Sequence, residues 1–277
     1  MADETLVVKS TIMQEPEPKK KLGQHWLHDA PSLAAMLTAA DVQPGDYVVE
    51  VGPGLGTLTQ FLLDAGATVH AIEFDEELAR TLRKRVQHSP ESLLITQADI
   101  LRFNFSELPA DYKIVANIPY YLTSALLRLI SETANPPAVA AVLVQKEVAE
   151  RVCAAPGDMS LLSVSAQVYF ETYLGPIVPA ELFTPPPKVD SQILVLKRRP
   201  QPLFKELDSK LLFRVVKAGF SERRKKLRSS ISGGLGISKE TADTLLHTAN
   251  ISGDLRAQNL SIEDWLVLSK AWEQQIQ

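Results

Sequence analysis

The sequence predicts an α/β fold: a mostly parallel sheet with helices on both faces, followed by a small all-helical carboxyl-terminal domain. Three observations predict it. Strand and helix signals alternate from residue 42 to about residue 143. The strand signals are short β-branched runs that end on glycine, acids or an amide. Beyond residue 200 the remaining patterns are helical. A βαβα order implies parallel strands with crossover helices, and ligands of such sheets sit at the carboxyl ends of the strands.

Each element has its own signal. "DYVVEVG" is a first strand closed by glycine, and "TLTQFLLDAG" has helical apolar spacing and stops at Gly66. "ATVHAIEFD" is a strand ending in acids, and "EELARTLRKRVQ" is an amphipathic helix. "SLLITQAD" and "YKIVANIP" are further strands, "LTSALLRLISET" a helix and "AVAAVLVQ" a fifth strand. "LSVSAQVYFETYLGPIVP" reads as a helix running into a strand, and "FTPPPKVDSQILVLKRR" as a proline-stiffened loop followed by a strand. "KRRPQPLF" reads as a linker. "KELDSKLLFRVVKAGF", "ERRKKLRSSI", "SKETADTLLHTA" and "SIEDWLVLSKAWEQ" read as helices.

A chain of 277 residues, 45% hydrophobic, suffices for one large domain or for a large and a small one. The expected division is a flexible leader over 1–18, an α/β domain over 19–199 and a helical domain over 200–277. No apolar run is long enough to span a bilayer, and the amino terminus has no secretory pattern, so a soluble, cytoplasmic protein is expected. Cys153 is the only cysteine, which excludes an internal disulfide. His25 and His28 have no acidic or cysteine partner at ligand spacing, so no metal is expected. The net charge of −4 hides an asymmetry: residues 181–230 hold 13 Lys+Arg and 5 Asp+Glu, a net of +8, so the rest carries −12. A local basic surface suits phosphate, whereas a solvated helix face is the plainer account of a charge run. "SERRKKLRSS" is denser than the plainer account needs, which favours the basic patch.

"VVEVGPGLGTLT" places Glu50, Gly52, Gly54 and Gly56 at a strand-to-helix turn, where glycine lets a ligand approach the backbone closely. The spacing G-x-G-x-G departs from the dinucleotide fingerprint G-x-G-x-x-G. Glu73 ends the next strand, where a carboxylate binds a ribose diol. Asp99 follows the third strand, placed to accept from an adenine amino group. One acid alone would be a surface carboxylate; two acids and a glycine turn at successive strand ends make coincidence a poor account. The turn and Glu73 suit NAD and S-adenosyl-L-methionine alike, and the glycine spacing and Asp99 favour S-adenosyl-L-methionine. "NIPY" follows the fourth strand, with a hydrogen-bonding amide, a stiff turn and a flat ring. Asn117 and the Ile118 carbonyl can hold the hydrogens of an adenine N6 amino group and aim its lone pair at a methyl donor. Pro119 fixes the turn and Tyr120 stacks on the base. The rate then comes from positioning and electrostatics, without a strong general base. A base inside a duplex cannot reach such a pocket, so it is flipped out or unpaired.

These residues carry a resemblance. "KKKLGQHWLHD", "VEVGPGLGTLT", "IEFD", "QADIL", "NIPYYLTS", "QKEVAERVCAAPG", "LFTPPPKVDSQILVLKRRP", "FSERRKKLRSS" and "RAQNLSIEDWLVLS" resemble, in order, the motifs of the KsgA family of ribosomal RNA adenine dimethyltransferases. The likeness runs from Lys19 to about Ser269. It implies a Rossmann-like S-adenosyl-L-methionine-dependent methyltransferase domain with a helical carboxyl-terminal domain. It implies dimethylation of N6 on two adjacent adenosines in the hairpin near the 3′ end of 16S rRNA, in a pre-assembled small ribosomal subunit, by a monomer. It implies cofactor contacts at His25, Leu27, Gly52, Glu73, Asp99 and Asn117, alongside Glu50 and Gly54 of the turn, and a catalytic segment of Asn117, Ile118, Pro119 and Tyr120. RNA contacts are expected from Arg223, Arg224, Lys225 and Lys226. Lys188 reads equally as a phosphate contact or a loop-ordering residue, and Phe183 as a stacking or a core residue. Trp26 reads as packing over the cleft; Gln145 and Glu147 line the site or cap the following helix.

Three departures stand out. His25 replaces the family's usual asparagine and Trp26 its phenylalanine. Tyr121 stands where asparagine is usual. The loop "PGDMSLLSV" lacks a Tyr-Gly-Arg and is two residues short. Two alternatives share the fold: an Erm-type enzyme acting on 23S rRNA, which the carboxyl-terminal motifs disfavour, and an assembly factor without turnover, which the intact "NIPY" disfavours.

Overall fold

A computed structural model describes residues 16–89, 91–204 and 207–276. Most of the expected leader, residues 1–15, lies outside the described residues. The strands are β1 (Trp26–Leu27), β2 (Tyr47–Val51), β3 (Thr68–Glu73), β4 (Leu93–Gln97), β5 (Lys113–Asn117), β6 (Val139–Gln145), β7 (Phe170–Val178), β8 (Phe183–Thr184) and β9 (Ser191–Arg198). The helices are α1 (Ala30–Ala39), α2 (Thr57–Asp64), α3 (Glu76–Arg85), α4 (Thr123–Glu132), α5 (Lys146–Val152), α6 (Leu161–Gln167), α7 (Ser209–Phe220), α8 (Leu227–Leu235), α9 (Lys239–Thr248) and α10 (Ile262–Ile276).

Seven strands form one sheet in the order β4-β3-β2-β5-β6-β9-β7. The first five run parallel, and β9 is antiparallel to both β6 and β7. Successive residues of a strand point to opposite faces, so a strand covered on both sides is apolar throughout. Val49 and Val51, Ile114 and Ala116, and Val142 and Val144 join one core with residues of α4, α5 and α6. Val48, Val115, Ala141 and Leu143 join the opposite core with Leu33, Met36, Leu58, Leu62 and Leu82 of α1, α2 and α3. The strand order reverses between β2 and β5, which opens the crevice where such sheets bind ligands.

The carboxyl-terminal helices α7 to α10 enclose a separate core. Met159, Val164 and Val168, which precede β7, belong to that core too, so the two units are keyed together around α6. The segment read as a linker is hydrogen-bonded, Arg199 N–H to the Tyr169 carbonyl (3.0 Å) and Leu203 N–H to the Val168 carbonyl (2.9 Å). Two expectations need correction or addition. "ERRKKLRSSI" is not one helix: residues 221–226 form a turn, with Lys225 N–H on the Glu222 carbonyl (3.0 Å), and α8 begins at Leu227. Four adjacent cations repel one another and offer no apolar face, so the helix starts at the first side chain it can bury. Helix α1 and the two-stranded β1–β8 pair were not expected; Trp26 pairs with Thr184 and Leu27 with Phe183.

Candidate active site

A cavity of ≈ 250 Å³ lies over the carboxyl ends of β2 to β5, covered by the amino-terminal segment 22–27. Gly52, Glu73, Asp99 and Asn117 all line it, as their positions at successive strand ends require.

The turn after β2 is built for close approach. Gly52 and Gly54 have φ of +68° and +57°, a left-handed conformation that other residues resist. A Cβ on Gly52 would meet nothing within 4 Å, and one on Gly54 would lie 3.3 Å from the Trp26 indole nitrogen. Glu73 ties the turn to β3: one carboxylate oxygen accepts from Gly54 N–H (3.1 Å) and the other from Asp75 N–H (2.8 Å). Glu50 is buried and accepts from the Thr59 hydroxyl (2.6 Å). Burial pushes its carboxyl up to about 8, with the nearby Glu73 adding to the shift. Burial also raises the Glu73 carboxyl. Burial outweighs the hydrogen bonds that both carboxyls accept, so each holds its proton more readily than an exposed one would.

At the far rim Asp99 accepts from Leu101 N–H (3.0 Å) through one oxygen, which leaves the other facing Arg102 at 4.0 Å. Phe74, directly after Glu73, lines the cavity while 59% exposed. Trp26 also lines it, and its buried indole N–H has no partner among the described residues. An orphaned donor, an open glycine cradle and acids at two strand ends fit a nucleoside cofactor with an amino-acid arm.

The amino-terminal segment closes the cavity through distant contacts. Lys19 Nζ donates to Asp75 Oδ2 (2.7 Å). Burial pushes the Asp75 carboxyl up, but the bonds from Lys19 and from the Leu78 and Glu77 amides outweigh it and hold it below the usual range. Asn117 Nδ2 donates to the His25 carbonyl (3.0 Å). The His25 ring bonds the Pro185 carbonyl through Nδ1 (2.7 Å), so Nδ1 carries the hydrogen. The same ring stacks on Tyr120, with centroids 5.9 Å apart and planes 23° apart. The Tyr120 hydroxyl bonds the Ser191 hydroxyl at 2.8 Å. Burial, above all, pushes the Tyr120 phenol up, so the ring is a neutral hydrogen-bonding group.

Leu27, Glu50 and Gly54 line the cavity with Ile118 and Pro119. Phe183 is a core residue beside α1, and it also lines the cavity. None of Lys188, Arg223, Arg224, Lys225 and Lys226 lines it. Lys188, Arg223, Arg224 and Lys225 are exposed, and Lys226 pairs with Asp254 at 2.8 Å. Gln145 stands at the start of α5 without a capping bond, Glu147 lies in its first turn, and neither lines the cavity. Sequence reasoning missed Phe74, Leu101 and Ser191. An apolar residue directly after a strand-end acid was the one signal available for Phe74. Among the described residues no cluster of three metal-ligating side chains occurs, and no helix is long and apolar enough to cross a membrane.

The sheet order and this cavity define a Rossmann-like methyltransferase. The crystal structure of a dimethyladenosine transferase from Plasmodium falciparum has the same fold, with a TM-score of 0.75 at 24% identity over 88% of this chain and 96% of that one. A crystal structure of the 23S rRNA methyltransferase ErmE gives 0.70 at 28% identity over 90% and 99%. Ribosomal RNA small subunit methyltransferase A of Dehalococcoides mccartyi is 40% identical over 253 residues, 90% of this chain and 87% of that protein. The protein of that name from Synechocystis is 38% identical over 274 residues, 91% and 95% of the two chains. The ribosomal RNA adenine dimethylase family matches residues 16–274. The chain belongs to that family.

Proposed function

We propose that the chain dimethylates the N6 amino groups of two adjacent adenosines in the 3′-terminal hairpin of 16S rRNA, acting on the assembled small subunit in the cytoplasm. S-adenosyl-L-methionine is the cofactor the cavity suits, and when bound it supplies an electrophilic methyl group. Glu73 lies where the ribose hydroxyls would donate, Asp99 offers the oxygen not bonded to Leu101 to the adenine amino group, and Gly52 and Gly54 admit the amino-acid arm. Residues 19–199 carry this chemistry, and the helical region 200–277 supplies RNA contacts through Arg223, Arg224 and Lys225. Small-subunit methyltransferases at 38–40% identity favour this substrate over the large-subunit one of the 28% identical ErmE.

The observation that carries the mechanism is the bond from Asn117 Nδ2 to the His25 carbonyl. A carbonyl takes only the NH₂ end of an amide, so the amide cannot turn round, and Oδ1 is left as an acceptor. Oδ1 and the Ile118 carbonyl can then take both hydrogens of an adenine amino group. Its nitrogen lone pair, delocalised into the ring in the free base, is released towards the methyl group. The proton leaves after transfer, so no side chain has to remove it beforehand.

Asn117→Ala removes an acceptor that acts at the reacting nitrogen. Methyl transfer from labelled cofactor to unmodified small subunits should fall by about 10²–10³-fold, the scale seen when one preorganised hydrogen-bonding group is lost. Mass analysis of the rRNA adenosines reads the product. Normal turnover in the variant would remove Asn117 from the mechanism; no transfer by the unaltered protein would favour an assembly factor.

A further inference from the structure

Tyr121 is unexplained by the site as described. It follows the segment assigned to catalysis, lines the cavity mouth and is 67% exposed. Its neighbours are anchored: Tyr120 bonds Ser191, and Leu122 is buried with its N–H on the Pro119 carbonyl (2.9 Å). The backbone at Tyr121 is therefore held in a short 3-10 turn, residues 120–122. One edge of the ring faces Gly23, where an added Cβ would sit 3.5 Å from Cδ1. The hydroxyl has no partner among the described residues, so the side chain is not held out for a polar bond.

A large ring kept in water on a rigid turn costs little entropy to use in binding, since only two side-chain torsions are involved. Single-stranded RNA offers the matching surface: unstacked bases that stack on aromatic faces. When an adenosine leaves its stack to enter the cavity, its neighbour loses a stacking partner at the cavity mouth. We infer that Tyr121 is a stacking platform for the unpaired base next to the adenosine being methylated, a substrate-positioning contact outside the Asn117–Tyr120 segment. The inference rests on the rRNA adenine reading above.

The test uses the full-length protein, labelled cofactor and unmodified small subunits, with Tyr121→Phe, Tyr121→Leu and Tyr121→Ala. A π-face is what the role needs, so Tyr121→Phe should match the unaltered protein. Tyr121→Ala and Tyr121→Leu should each raise KM for the subunit by about tenfold, within the range for loss of one base–aromatic stack. Cofactor affinity and thermal midpoint should not change. Stacking releases no counterions, so the salt dependence of subunit binding should keep its slope. Unchanged KM in Tyr121→Ala would overturn the inference. So would full rescue by Tyr121→Leu, which would show apolar packing on Gly23, or a parallel loss of cofactor affinity, which would show support of the amino-terminal segment. Failure of the unaltered protein to transfer methyl groups would instead overturn the substrate reading.

Discussion

Glu50 shows how much of the site is built at a cost to the folded chain. Its carboxyl is raised by burial from an ordinary 4.5 to about 8. Between those values the folded state holds a proton that the unfolded chain has released, so stability falls as pH rises through the window and then levels off. Glu73, also raised by burial, adds to the same slope. Glu50→Gln keeps an acceptor for Thr59 and removes the titration. Its melting temperature should gain most over the unaltered protein near pH 8 and least near pH 5, measured without cofactor. An equal gain at both pH values would mean that Glu50 is ionised throughout. At this scale the sequence was informative where position in a strand decides which residues line the cavity. Gly52, Glu73, Asp99 and Asn117 all end or follow strands, and sheet geometry alone gathers them. The hydrogen bonds that aim them were invisible, because Asn117 meets His25 across 92 positions and His25 meets Pro185 across 160.

Among the elements, helix α1 was missed, and the amino-terminal segment 19–27 is one that periodicity could not find. It contains only a 3-10 turn and a two-residue strand, too short for any pattern to register. Its order comes from its partners: Asp75, Asn117, Pro185 and the β1–β8 pair. The basic turn before α8 was misread for a related reason, since a dense charge run looks helical by propensity until one asks what it would bury. Lys19→Ala should loosen the segment. Asp75 would keep its two backbone donors, so α3 should stay intact, whereas amide exchange over 19–27 should quicken and cofactor binding weaken severalfold. Exchange unchanged by the substitution would show that Asn117 and β8 suffice to hold the segment down.

Over the whole molecule the charge is divided, +8 in residues 181–230 against −12 elsewhere. The structure places Arg223, Arg224 and Lys225 on an exposed turn with no ion-pair partner among the described residues, while Lys226 is paired with Asp254. Replacing Arg223 and Arg224 together by alanine should weaken small-subunit binding and lower the slope of log affinity against log salt by about one to two units. Lys226→Ala, by contrast, should change that slope little. Equal effects from both variants would move the RNA surface away from this turn. The α/β-plus-helical plan could be read in advance because apolar periodicity is local. The keying of Met159, Val164 and Val168 into the helical core could not, since nothing local distinguishes which of two cores a valine enters.

The tie between Asn117 and the His25 carbonyl has a practical side. An asparagine amide is nearly symmetrical in shape but opposite in polarity at its two ends, and here the choice between them is made by a peptide group close to the start of the chain. A fusion tag or truncation that disturbs residues 19–27 would leave every assigned catalytic side chain present. It could nonetheless present a donor where the proposed mechanism calls for an acceptor. Such a preparation would be folded and silent, and its silence would say nothing about the native enzyme.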